Sequence, residues 1–460
     1  MKLNEIARQI VKLRWDSNYS QALEMYKEQV HGHFAQEQIV AHQALLNCII
    51  DCLKKTEKLK EAIAMIENVW QIVPDQISDK NLQRNVAWTY FFGLAPNNIQ
   101  FEHNKKRTLQ LKWLVSNLLL NNEQQLAGMI LFRYTDWLMM QKPPLMEDVD
   151  HILQSVDPQQ LSHQCRIVQT TIKGHIKDIE LASDQEKWFM LSTKILYSQA
   201  KYDECIDACN RAFGMVQKFH QGNQIWISRR LALSMKQKGM GAKAIEMMET
   251  IYQKKKDWFI EKELAELFFE NRQSHKAMQM AILACEKGGY SEYKVGLFEL
   301  VGDIFHATKK MEQAACQAYT LAAMVRNTQN WKLTEKLREK LESCQDFTAQ
   351  GLTDYYQACI VHWKKLVYGD NASPTTQSTQ VHKGIGKVTR VLNTGSNGDG
   401  FITDEQGRGI YFRFNKCQIA NELICEGLAV KFHAIEIDRK GKKVWNAIKV
   451  FEKNAQGKSK

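Results

Sequence analysis

In the run IYFRF, residues 410–414, large apolar side chains alternate with others, the period of a strand that buries one face. Ile410, Phe412 and Phe414 take one side; Tyr411 and Arg413 take the other, and Phe401 in the preceding GFIT segment is expected beside them. Aromatic rings exposed on a basic sheet are costly unless something stacks on them, and nucleobases do so for about 1–3 kcal/mol each. An arginine in that company can stack on a base or pair with a phosphate. Lys387, Arg390, Lys416 and Lys431 are either phosphate contacts or ordinary solvated cations. Trp445 is either a further stacking ring or a residue packed against the helical part of the chain.

Other constellations carry less. Cys48/Cys52 and Cys205/Cys209 are each four apart, but no second pair stands nearby to complete a four-ligand zinc site, and core packing explains them. The HGH at 31–33 reads as a turn. The GSNGDG run at 395–400 has the glycines of a phosphate loop but no helix after it, so it reads as a hairpin turn. There is no nucleophile elbow, no GK[ST] and no paired acid cluster on strand ends. The expectation is a protein that is not an enzyme and needs no metal or cofactor.

Charge sharpens the first reading. Of the 62 Lys/Arg and 51 Asp/Glu, residues 381–460 hold 15 and 8, so a net of +7 out of +11 sits in the last sixth of the chain. A small domain with that bias suits a polyanion. Eleven scattered cysteines suggest reduced thiols and a cytoplasmic home. The N-terminus MKLNEIARQIVKLRWD lacks the apolar core of a signal peptide, and LAGMILF at 126–132 is far short of the roughly 18 residues of a membrane span.

The elements that must position these residues follow from periodicity. With six prolines in 460 residues and apolar spacing of three and four, most of the chain reads as helix. A pattern of large-then-small residues on one helix and small residues on the next recurs. Leu231, Ala232 and Met235 precede Ala244, Met248 and Ile251. Leu264, Ala265 and Phe268 precede Ala277, Ala281 and Ala284. Val301, Gly302 and Phe305 precede Ala314, Ala318 and Leu321. Trp188 and Leu191 precede Cys205, Cys209 and Ala212; Ile49, Ile50 and Leu53 precede Ala62, Ile66 and Val69; a degenerate copy runs through Tyr19, Ala22 and Tyr26.

This pattern resembles the tetratricopeptide repeat, whose period is about 34 residues. Positions 205, 244, 277 and 314 are 39, 33 and 37 apart. The resemblance implies an α-solenoid over residues 1–368, irregular at 71–185 where the sequence is helical but matches poorly, with a protein or peptide partner on its surface. Residues 369–382, polar and aperiodic, read as a flexible linker.

From residue 383 to 453 the pattern changes to alternation with glycine turns: GKVTRVL, GFIT, GIYFRF, LAVKFHAIEI and KVWNAIKV, five short strands. Gly386-Lys387-Val388, then Gly398-Asp399-Gly400-Phe401-Ile402, then Ile410-Tyr411-Phe412-Arg413, then Gly427, Val430 and Phe432 resemble, in order, the strands of a cold-shock domain. The resemblance implies a small five-stranded antiparallel β-barrel of the OB-fold, with Phe401 and Tyr411 as its stacking platform and Arg413 in place of the family's histidine. Two positions depart: Asp399 stands where the family has an aromatic ring, and Arg390 where it has its first-strand tryptophan. Residues 454–460 form a basic tail. The chain therefore reads as a cytoplasmic, non-enzymatic adaptor, with single-stranded nucleic acid, RNA in preference to DNA, on the barrel and a protein on the repeats. The alternative is a pure protein–protein scaffold, or a regulatory subunit of a nucleic-acid-processing or defence complex, whose barrel no longer binds nucleic acid.

Overall fold

The computed structural model describes residues 2–72, 77–95, 105–172, 175–288, 291–344, 351–369, 382–393, 398–417, 419–439 and 442–452. The chain divides into two compact units, Met1–Cys359 and Ile360–Lys460. Of the linker expected at 369–382, residues 370–381 fall outside the described residues, as does the tail at 454–460, and His382 already belongs to the first barrel strand.

The first unit is a run of tetratricopeptide-like helix pairs. They are Leu3–Trp15 with Tyr19–Gln29, Gln43–Lys55 with Leu59–Ile72, Lys105–Leu120 with Gln124–Met140, and Asp184–Ser198 with Tyr202–Met215. Asn223–Gln237 with Gly241–Lys254, Trp258–Glu270 with Ser274–Glu286, and Val295–His306 with Glu312–Thr328 follow. One device closes the first six turns. Ser17, Glu57, Asn122, Ala200, Gly239 and Arg272 have positive φ, between 58° and 76°. The next backbone N–H then reaches back into the last helical turn: Asn18 to Leu13, Lys58 to Leu53, Glu123 to Leu118, Lys201 to Leu196, Met240 to Met235 and Gln273 to Phe268, at 2.8–2.9 Å. This is the Schellman closure, and it lets the second helix double back at once.

The small residues sit where the repeat pattern requires them. Cys205, Ala244, Ala277 and Ala314 are all buried. At Gly302 a Cβ would lie 2.2 Å from the Tyr319 ring, so only glycine admits that ring. Cys48, Cys52, Cys205 and Cys209 are buried as well, and Cys205 donates to the Thr193 carbonyl and Cys209 to the Ile227 carbonyl.

Three expectations are corrected. The stretch 71–185 holds a further regular helix pair, turning at Asn122, and it is not helical throughout. Strands β1 (Ile167–Ile172) and β2 (His175–Glu180) pair antiparallel from Ile167↔Glu180 to Ile172↔His175, with Ile167 and Ile176 exposed. The thiols are not all reduced: Cys316 and Cys344, 28 apart in sequence, are joined as a disulfide with Cα atoms 5.4 Å apart, within normal bridging reach.

The second unit carries the third correction. Strands β3 (His382–Asn393), β4 (Asp399–Asp404), β5 (Gly409–Arg413), β6 (Ala429–Arg439) and β7 (Lys442–Glu452) close a barrel in the order β3-β4-β5-β7-β6. Its strand directions are mixed. Four of the five neighbour pairs are antiparallel, but β5 and β7 run parallel, with Ile410↔Trp445 and Tyr411↔Asn446 in register. Parallelism follows from order: a chain that leaves β5, crosses to β6 and returns as an antiparallel β7 arrives beside β5 in the same direction. The core includes Val388, Ile402, Ile410, Phe412, Phe414, Val430, Phe432, Ala434 and Val450, so IYFRF points its three large apolar residues inward, as alternation predicts. A Cβ at Gly400 would stand 2.3 Å from the Arg390 carbonyl oxygen; glycine there allows β4 to press against the irregular stretch of β3.

Candidate nucleic-acid interface

Register places the outward side chains of β3, β4 and β5 in rows. One row is Arg390, Phe401, Tyr411, continued by Asn446 on β7; the next is Asn393, Asp399, Arg413. Phe401 is exposed and Tyr411 half-buried, with ring centroids 5.7 Å apart at 65°, so one ring meets the other edge-on. Such a pair keeps an aromatic surface open to solvent without collapsing face to face. Arg390 and Arg413 are exposed on either side.

Asp399 is built into this platform. Its Oδ1 accepts from Asn393 Nδ2 at 2.7 Å and its Oδ2 from the Tyr411 hydroxyl at 2.8 Å, while Arg413 Nε lies 3.4 Å from that hydroxyl. The carboxylate therefore fixes the Tyr411 ring as well as adding a negative charge to the face. Asn393, which the sequence reading passed over, is the residue that shares this load.

The cations spread unequally. Lys387 is exposed on β3, opposite Thr403, along the same outward face as the platform. Thr389 and Thr403 tie the strands there through hydroxyls 3.0 Å apart. Lys416 is exposed in the short helical turn after β5. Lys431 is exposed on β6, on the side of β3 away from β4. Trp445 does not join the platform. Its ring meets His382 edge-on at 5.5 Å, with the Arg408 guanidinium 5.2 Å from its centroid, and it packs against the barrel core. Within the barrel its ring closes the wall beside the start of β3.

The hairpin joining β4 and β5 is held by Asp404. Its Oδ1 accepts from the backbone N–H groups of Gln406 and Arg408 at 3.0 and 2.8 Å, and its Oδ2 from Arg408 Nε at 2.7 Å. Burial works to raise this carboxyl, but those hydrogen bonds outweigh it and hold it below the usual carboxylate range.

Fold and platform together define a helix-pair repeat protein with a C-terminal five-stranded barrel. No family model matches the chain, and no curated protein matches it. Among solved structures it is similar to a tetratricopeptide repeat protein from Parabacteroides merdae, at 12% identity and TM-score 0.27, covering 74% of this chain and 97% of that one. It is also similar to the human IFIT1 dimer with m7Gppp-AAAA, at 15% identity and TM-score 0.34, covering 78% and 85%, and to apo RapI, at 12% and 0.29, covering 80% and 82%. At these scores the likenesses carry no argument about ligands. Among the described residues no helix is long and apolar enough to cross a membrane.

Proposed function

We propose that the protein is a non-enzymatic cytoplasmic adaptor whose barrel, of the OB and cold-shock type, binds single-stranded RNA, and whose helix pairs hold a protein partner. The observation that carries this reading is the row Arg390–Phe401–Tyr411, two adjacent rings with exposed surface between arginines on a domain rich in positive charge. Bases stack on such rings regardless of sequence, and phosphates flanking them meet Lys387, Arg390 and Arg413. Tethering a partner to the strand raises its effective concentration there without any new contact.

The test is fluorescence anisotropy of labelled single-stranded RNA, single-stranded DNA and duplex RNA with the full-length chain at low salt. The expected order is single strand over duplex, RNA over DNA. Absence of binding to any single strand removes the proposal. The Asp399 carboxylate on the platform supports a second reading, a barrel that docks a protein, and that outcome is the one a null binding result would favour.

A further inference from the structure

Where the β1–β2 hairpin leaves the helix pairs, three residues far apart in sequence converge. One ligand atom each from Cys165, just before β1, Glu180, at the end of β2, and His220, in the loop before the helix Asn223–Gln237, lie within 4.8 Å of one another. We propose that this is a binding site for a divalent transition-metal ion of the zinc class.

The argument rests on His220. Its side chain is 6% exposed, and its Nε2 is buried and makes no well-aligned hydrogen bond among the described residues, although the Glu180 carboxylate faces it. An orphaned buried imidazole nitrogen is costly unless something binds it. Its other nitrogen, Nδ1, is 2.7 Å from Glu186 Oε2. Glu186 is fully buried, and its Oε1 also accepts from the His220 backbone N–H at 2.8 Å and from Asn223 Nδ2 at 2.7 Å. A carboxylate fixed in this way holds the proton on Nδ1 and leaves the Nε2 lone pair directed at Glu180 and Cys165. That is the carboxylate–histidine–metal arrangement by which metal sites orient their imidazoles.

Distances agree with the same ion. Tetrahedral zinc bonds of about 2.0–2.3 Å to nitrogen, oxygen and sulfur imply ligand–ligand edges of about 3.3–3.8 Å. His220 Nε2 is 3.4 Å from Glu180 Oε2. With all three ligand atoms within 4.8 Å of one another, the half-exposed thiol completes the set with at most about 1 Å of adjustment. Thiolate, imidazole and carboxylate together select zinc-class ions over magnesium or calcium, which take oxygen ligands. Lys218 now pairs with Glu180, but its side chain is 64% exposed and can swing into solvent when an ion takes the carboxylate. Three protein ligands leave one position for water or a fourth group. An ion there would cross-link the base of the hairpin to the loop before Asn223, fixing the hairpin that presents exposed Ile167 and Ile176.

The experiment uses full-length protein, stripped by chelator under reducing conditions and titrated with cobalt(II), then with zinc in competition. The expected result is one equivalent of cobalt with a thiolate-to-metal charge-transfer band, displaced by zinc. Cys165→Ser should abolish the band, Glu180→Gln should weaken affinity at least tenfold, and Glu186→Gln should weaken it about 10–100-fold through the imidazole. Circular dichroism and thermal melts of each variant separate ligand loss from misfolding. No band in the wild type overturns the proposal. So does a band of undiminished strength in folded Cys165→Ser, since it would come from other thiols.

Discussion

Asp399 shows how a single side chain can pull binding in two directions. Its charge opposes phosphate, yet its two oxygens hold Asn393 and the Tyr411 hydroxyl. Asp399→Asn separates the effects, because an amide can still accept from Tyr411 and pair with a flipped Asn393 while losing the charge. We expect that variant to bind single-stranded RNA several-fold more tightly than wild type, read as a lower dissociation constant at fixed salt. Equal or weaker binding by a folded variant would mean the strand does not pass this face. Tyr411→Ala and Phe401→Ala should each cost about 1–3 kcal/mol of affinity, the contribution of one stacked base, with the thermal transition of the barrel retained. The platform itself was legible in the sequence, because alternation in IYFRF decides which residues face outward. Its wiring was not: Asn393 and Asp399 meet only once register is set across an irregular pairing of β3 with β4.

Among the elements, the helix pairs were readable from their small residues, since Ala277 or Ala314 at a crossing leaves a periodic mark. Their boundaries were harder. Of the six Schellman turns only Gly239 is glycine; Ser17, Glu57, Asn122, Ala200 and Arg272 take the left-handed conformation without that signal. The β1–β2 hairpin was missed although RIVQTTIKGHIKDIEL carries β-branched alternation around a Lys-Gly pair, because helical context on both sides outweighed a short local signal. Gly302→Ala tests the packing directly: its Cβ would fall on the Tyr319 ring, and overpacking of this kind costs about 1–3 kcal/mol. An unchanged unfolding midpoint would show that the two helices do not approach so closely. The β4–β5 hairpin makes a pH prediction. Asp404 is held below its ordinary pKa when folded, so its stabilisation is fully present above the unfolded value of about 3.9 and is lost as pH falls through the folded one. Asp404→Asn should therefore melt below wild type at pH 7, with the gap narrowing below about pH 4. A gap that stays constant across that range would sink the assignment.

At the scale of the whole molecule, each of the two units has a core of its own, and most of the charge excess belongs to the second. A polyanion should therefore be held by the second unit, and its affinity should report how many cations it meets. Lys387, Arg390, Arg413, Lys416 and Lys431 are the candidates, all exposed. Each neutralised phosphate on a single strand contributes about −0.7 to the slope of log affinity against log salt, so three to five contacts predict a slope between about −2 and −3.5. Full-length protein titrated with labelled RNA across a salt series measures it. A chain ending at Gly369 keeps the helix Leu352–Tyr368 and the described helix pairs but lacks the barrel, and it should lose both the affinity and the salt slope. A protein partner recovered by that shortened chain in the presence of nuclease would then assign the two tasks to different units. If the shortened chain instead retains the RNA affinity and its salt slope, the strand lies on the helix pairs, and the row Arg390–Phe401–Tyr411 has some other occupant.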